Sequence, residues 1–343
     1  MDHSTSVGAA VTSRARPSCV RACIGLLVAV GTLQLAAPRT VHGEERFALI
    51  VSGATGGQDY AEQYRRWTSG LSTLLVDQLK LSRPSVIALQ DGVEGPETAT
   101  ADNVRRAITE FRRRMATDDL LLVVFFGHGT FDGADAKFNL VGPDLESAEW
   151  AALLRGLPGR LVLINTTSAS FPFLERLAGP RRIVITATDS VAQRFDTVFP
   201  EYFLNAFQAE ASDIDKNGRV SVWEAFMAAA GGVRRHYQQR GQLATERPLL
   251  DDNGDGIGRE AGGPGQDGAA ASRTYLDAPG PGAAATDEVL LKLLQHRTAL
   301  EAEVEELKIR RTFITAEEYI KEFERLMIEL ARVSRNVRQR MGT

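Results

Sequence analysis

DDLLLVVFFGHG, residues 118–129, is an apolar run held between two acids and a Gly-His-Gly ending. An unbroken run of Leu, Val and Phe with polar punctuation at both ends predicts a strand buried on both faces, as in the middle of a parallel sheet. His128 then falls just past the carboxyl end of that strand. In open α/β sheets ligands and reactive groups gather along that edge, and glycines on both sides leave an imidazole reachable. The competing reading is a turn histidine that only bonds locally. What a second strand places beside it decides between the two.

Outward from this strand the pattern repeats. FALIV (Phe47 to Val51), SVIALQ (Ser85 to Gln90), GRLVLINT (Gly159 to Thr166) and RIVITA (Arg182 to Ala187) are four further short apolar runs. Between them lie helical patterns. Residues 59–80 carry Tyr64, Trp67, Leu71, Leu74, Leu75 and Leu79 on one stripe, residues 100–115 carry Val104, Ile108, Phe111 and Met115, and 147–157 forms a shorter helix. Strands alternating with helices imply βαβ units, a mainly parallel sheet and a layered α/β domain, here spanning 44–256.

Both ends differ from this domain. Residues 1–43 place three arginines (Arg14, Arg16, Arg21) before the apolar stretch Ala22 to Ala37 and a small-residue Val41-His42-Gly43, which reads as a secretory signal peptide. The rival, an uncleaved anchor, is weakened by Gln34 and two glycines inside a short apolar run. Cys19 and Cys23 are the only cysteines, so a chain without this segment has no disulfide, cysteine metal site or thiol nucleophile. It keeps 36 basic residues against 43 acidic, a net of −7, which favours neither nucleic acid nor anionic lipid. The expected location is periplasmic or secreted, with no stable membrane insertion after signal removal. Residues 257–285, rich in Gly, Ala and Pro, read as a flexible linker. Residues 286–340 read as an antiparallel helical hairpin or a dimerising coiled coil, the second helix opening on the capping-box pattern Thr315-Ala-Glu-Glu318. Self-association through these helices is expected.

Four motifs carry chemistry. Gly53, Gly56 and Gly57 after the first strand resemble a dinucleotide-binding turn, but a third helix-entrance glycine is missing and Asp59 stands where phosphate charge would gather. More weight falls on two strand ends. His128 closes one, and Asn165-Thr166-Thr167-Ser168-Ala169-Ser170 closes the next; a base, a hydroxyl and a backbone N–H meeting there would make a nucleophile and oxyanion site. The third motif is the strongest. Asp213-Ile-Asp215-Lys-Asn217-Gly218-Arg219-Val-Ser221-Val-Trp-Glu224 matches the calcium-binding EF-hand loop at each ligand position, with helices expected on both sides across 200–237. Asp213, Asp215 and Asn217 offer side-chain oxygens, Arg219 its carbonyl, Ser221 a direct or water-borne contact, and Glu224 two closing oxygens. A second loop, Asp251-Asp-Asn253-Gly-Asp255-Gly256, begins in the same way but has Gly262 at its twelfth position, so it is either a weak calcium site helped from elsewhere or an Asx turn.

The layout of the two strand ends resembles the caspase-like clan of cysteine peptidases, most of all its legumain-type branch and the secreted bacterial relatives of that branch. Gly127-His128-Gly129 matches the histidine motif, and Asn165-Thr166-Thr167 stands where an acidic or amide residue, a small residue and the nucleophilic Cys are expected. The resemblance implies a caspase-like three-layer sandwich, with His128 as the base, Gly129 beside it and Thr167 in the cysteine's place. A thiol ionises near pH 8.5, whereas an internal threonine hydroxyl is a far poorer nucleophile and its methyl crowds the attack path. The resemblance therefore implies a pseudopeptidase that binds a peptide or protein ligand without cleaving it. The alternative is an endopeptidase that uses Thr167 or Ser168 with His128 as base.

Overall fold

The computed structural model describes residues 44–193, 195–263, 265–277, 288–311 and 314–341. The expected signal peptide, 1–43 with both cysteines, the end of the expected linker, 278–285, and the first two residues of the expected hairpin, 286–287, lie outside the described residues. The elements in order are β1 (Arg46–Ser52), α1 (Gln58–Thr73, continued by a π-helical stretch Leu74–Gln78), β2 (Val86–Leu89), α2 (Ala101–Arg114) and β3 (Leu120–Phe126). After them come β4 (Gly129–Phe131), β5 (Ala136–Phe138), β6 (Leu145–Glu146), α3 (Ser147–Leu154), β7 (Arg160–Asn165), α4 (Phe171–Leu177) and β8 (Arg182–Thr186). The chain closes with α5 (Phe199–Ala206), α6 (Val222–Gln239), β9 (Leu249–Asp251), β10 (Arg259–Glu260), α7 (Glu288–Arg310) and α8 (Ala316–Met341).

The fold is α/β, a three-layer sandwich around a seven-stranded sheet of order β10-β9-β8-β7-β3-β1-β2. The five strands expected from the sequence are its parallel members; β9 and β10 add an antiparallel edge. Because strand side chains alternate, β3 serves two cores at once. Leu120, Leu122, Val124 and Phe126 face α1, α5 and α6, while Leu121, Val123 and Phe125 face α2, α3 and α4. The helical stripe read at Tyr64, Trp67, Leu71, Leu74 and Leu75 is the buried face of α1. On the opposite face Phe125 packs within 4.6 Å of Phe138 and 4.4 Å of Trp150, ring centre to ring centre.

Three expectations need correction. The polar loop after His128 contains a small antiparallel sheet, β4-β5-β6, whose two- and three-residue strands are too short to show a period. The helix expected at 200–210 ends at Ala206, and a single 3₁₀ turn, Glu210–Ser212, leads into the acidic loop. Residues 257–277 were expected to be flexible linker, yet they fold back onto α6. Tyr275 bridges Ser221, Ala271 and Leu276 are buried, and the Arg259 guanidinium lies over the Trp223 ring. Composition hid this because a few anchors suffice to hold a Gly-rich segment whose own side chains are small.

α7 and α8 fold back on each other around Leu300, Val304, Leu307, Leu326, Val333 and Val337, and Ile214 of the acidic loop packs against this cluster. The capping box is formed: Thr315 N–H donates to Glu318 Oε2 at 3.1 Å and Glu318 N–H to Thr315 Oγ1 at 3.2 Å. No helix among the described residues is long and apolar enough to cross a membrane. Removing the Phe125 ring empties the centre of an aromatic cluster that has no room to collapse. Phe125→Ala should cost about 3–5 kcal/mol of unfolding free energy, measured by denaturant titration.

Candidate functional site

Parallel pairing of β3 with β7, from Leu120↔Arg160 to Phe125↔Asn165, brings the two expected strand ends side by side. Each residue there has a definite place. Asn165 is fully buried, and its Oδ1 accepts the Thr167 N–H at 3.0 Å. Thr166 donates its hydroxyl to Phe125 O at 2.6 Å. Ser170 Oγ lies 2.9 Å from Thr188 Oγ1 and accepts the Thr188 N–H, while Thr188 Oγ1 donates to Ser168 O at 3.0 Å. These contacts fix the loop, although the buried Asn165 Nδ2 has no partner of its own.

The Thr167 hydroxyl is different. It is buried, has no hydrogen-bond partner, and stands where a Cβ on Gly129 would come within 2.6 Å of it. Gly129 is therefore a glycine for close packing against Thr167. Ser168 is half-buried and faces the cleft.

No described hydrogen bond joins His128 to either. Its Nε2 lies 3.1 Å from Tyr64 Oη and 3.3 Å from Thr55 O, and its Nδ1 lies 3.7 Å from Asp196 Oδ1. A carbonyl only accepts, so the contact with Thr55 uses a proton on Nε2. Tyr60 packs edge-on against the imidazole at 4.6 Å and donates its hydroxyl to Asp196 Oδ2. Burial pushes the Tyr64 phenol well above its ordinary range, and the bond to Asp196 raises that of Tyr60. Both phenols thus stay protonated near neutral pH. The cleft among Tyr60, Tyr64, His128, Ser168, Asp196 and Thr197 measures about 20 Å³. It has no room for a peptide side chain.

The glycine-rich turn after β1 is also filled. Thr55 donates its N–H and its hydroxyl to Asp91 Oδ2 at 3.0 and 2.8 Å, so a carboxylate of the chain itself occupies the turn.

The acidic loop between α5 and α6 converges as its spacing requires. Asp213, Asp215 and Glu224 offer oxygens within 4.8 Å of one another, and no other group of three such residues among the described ones does so. Lys216 and Gly218 adopt positive φ (57° and 83°), turning the chain around the centre. Asp213 Oδ2 accepts Gly218 N–H at 2.9 Å, and Asn217 Oδ1 accepts Arg219 N–H at 2.9 Å. Glu224 Oε1 accepts the Ile214 and Asp215 N–H groups at 2.8 and 3.2 Å, and Oε2 accepts from Ser221. Burial and the neighbouring Glu224 and Asp213 push Asp215 up to about 6. An oxygen-only donor set with surplus negative charge suits a hard divalent cation of calcium's size.

The second loop repeats this hydrogen-bond pattern position by position. Gly254 and Gly256 take positive φ (83° and 78°) where Lys216 and Gly218 do. Gly256 N–H donates to Asp251 Oδ2 at 2.7 Å and Ile257 N–H to Asp255 Oδ1 at 2.7 Å. The part of Glu224 is taken by Asp267, whose Oδ1 accepts the Asp252 and Asn253 N–H groups at 3.0 and 3.3 Å. Asp267 is buried and pushed up to about 6.

No family model matches the sequence, and no curated protein matches it. Among solved structures, protein GSU0716 from Geobacter sulfurreducens aligns over 63% of this chain and 97% of its own, with 14% identity and a TM-score of 0.41. Caspase-1 from Spodoptera frugiperda aligns over 62% of this chain and 87% of its own, with 8% identity and a TM-score of 0.42. Neither likeness assigns chemistry to this chain.

Sequence reasoning missed four contributors. Asp267 lies five residues beyond the expected twelfth position. Tyr275 and Asp277 form a strap over the acidic loop: Tyr275 Oη accepts from Asn217 Nδ2 at 2.9 Å, and Asp277 Oδ2 pairs with Arg219 Nε at 2.7 Å. Glu246 anchors the segment that carries Asp196, accepting the Val198 and Phe199 N–H groups at 2.8 and 3.1 Å. Only an unassigned acid in each stretch hinted at these roles.

Burial pushes Glu246 up to about 7. Between its ordinary value and that point the folded state holds a proton that the unfolded chain has released, so stability falls as pH rises. Unfolding free energy should therefore decline from about pH 4.5 to about 7 and level off above, and that component should vanish in Glu246→Gln, followed by denaturant titration at each pH.

Proposed function

We propose that this chain is a secreted, non-catalytic relative of caspase-like, legumain-type peptidases, stabilised by calcium, that binds a peptide or protein. The supporting observation is the state of the two residues that would carry catalysis. The hydroxyl in the cysteine's place is buried against Gly129, and both ring nitrogens of His128 face other partners. General-base activation needs a nucleophile within hydrogen-bond reach of the imidazole, and none of the described hydrogen bonds joins His128 to Thr167 or Ser168. Asn165 supports the loop by accepting the Thr167 N–H at its Oδ1.

Calcium would be held by Asp213, Asp215, Asn217, the Arg219 carbonyl, Ser221 and Glu224. It would neutralise three gathered carboxylates and fix the start of α6. Ile214 ties the same loop to the cluster of α7 and α8, so ion binding would also brace the C-terminal hairpin. Asp251, Asn253, Asp255 and Asp267 form the second and weaker site, since their carboxylates are less tightly gathered. The hairpin leaves Ile320, Met327 and Ile328 exposed, which supports self-association through these helices.

Two experiments test this reading. A diverse peptide library incubated with the purified protein should remain uncut, with and without calcium. Cleavage that disappears in His128→Ala together with Thr167→Ala or Ser168→Ala would establish the endopeptidase instead. Calorimetric titration with calcium should resolve two classes of site, Glu224→Gln removing the tighter and Asp267→Asn the weaker. Saturation at about a hundredfold excess over the dissociation constant should add about 2.7 kcal/mol to stability.

A further inference from the structure

β2 ends the sheet on the side opposite β10 and pairs as a strand only with β1; on its outer edge Gln90 is bridged to Thr98 and the Val86 N–H bonds Arg83 O, so by alternation the N–H and C=O of Ala88 are the main-chain pair left turned outward. Beside that edge opens a groove of about 610 Å³ between β2 and α1. One wall is a polar stripe of α1, in which Arg65, Thr68, Ser69, Ser72 and Thr73 recur at helical spacing. The other wall carries Val86 and Ala88, half-buried, with Arg83 at its mouth.

Two features of this groove point to a ligand. Thr68 lines it and is 1% exposed, and its buried hydroxyl has no hydrogen-bond partner. A threonine in a helix ordinarily returns its hydroxyl to a carbonyl one turn back, and an orphaned buried hydroxyl carries a desolvation cost that a bound acceptor would remove. The side chains of Arg65 and Arg83 are exposed and make no ion pair or hydrogen bond among the described residues, although the chain as a whole is acidic. Two carboxylates also line the groove: Asp91, engaged by Thr55 and by the Gly92 N–H, and the exposed Glu97. No aromatic ring lines the groove, which disfavours a sugar, for which a stacking face is the usual platform. An open strand edge instead offers main-chain groups to an extended chain.

We infer that an extended acidic peptide adds to the sheet along β2, its main chain pairing with Ala88 and its carboxylates meeting Arg65 and Arg83. The Thr68 hydroxyl donates to an acceptor of the same peptide. The inference rests on the binding-protein reading above and names where the partner docks and what it carries. Edge addition supplies affinity through the backbone, and the two guanidiniums supply the preference for acid.

A random octapeptide library passed over the immobilised protein tests it, with the retained peptides sequenced. Retained peptides should be enriched in Asp and Glu. Retention should fall about tenfold or more in the Arg65→Ala/Arg83→Ala double variant, whose melting temperature should stay unchanged. Thr68→Val keeps the side-chain volume and removes an unpartnered hydroxyl, so it should leave the melting temperature equal or higher while weakening retention several-fold. A purely structural role for Thr68 would lower the melting temperature instead. Adding the retained pool should slow hydrogen exchange at the Ala88 amide. The inference is overturned by no retention, by retained peptides of neutral composition, or by indifference to the arginine pair. Retention that millimolar inorganic phosphate abolishes, with exchange at Ala88 unaltered, overturns it in favour of a simple anion site. Cleaved peptides in the eluate would defeat the non-catalytic reading and leave the groove standing, so the two failures are distinguishable.

Discussion

The continuous parallel register of β1, β3 and β7 is the constraint on which the other placements depend. With Arg46↔Leu120 through Ser52↔Phe126 on one side and Leu120↔Arg160 through Phe125↔Asn165 on the other, three strands end in one row. A slip of one residue would turn every β3 side chain to the wrong core, so burial on both faces locks the register. The turn of Gly53, the ring of His128 and the loop from Thr166 to Ser170 all take their positions from that row.

Along this edge the imidazole sits among two phenols, a carboxylate and a carbonyl. The Thr166 hydroxyl is spent on the backbone, that of Thr167 is buried against Gly129, and Ser168 faces the cleft. Glu246 reinforces the arrangement by holding the amides of Val198 and Phe199, which follow Asp196 and Thr197.

The acidic loops have the opposite character. In each, backbone N–H groups orient the carboxylates without neutralising them, and buried acids remain with raised proton affinity in the absence of a cation. Because Tyr275 and Asp277 clasp the first loop while Asp267 closes the second, one Gly-rich segment serves both.

The sequence by itself determined the five parallel strands, the stripe of α1, the capping box before α8, and the ligand spacing from Asp213 to Glu224. These are local patterns: a side chain's position within one strand, helix or twelve-residue loop follows from its spacing. Only the tertiary structure decided that Asp267 closes the second loop, that residues 257–277 fold back on α6 and are no linker, and that the Thr167 hydroxyl is buried against Gly129. Each of those joins residues distant along the chain or fixes the direction of a single side chain. Neither leaves a periodic trace, because the geometry comes from packing of the whole sheet and not from neighbours in sequence.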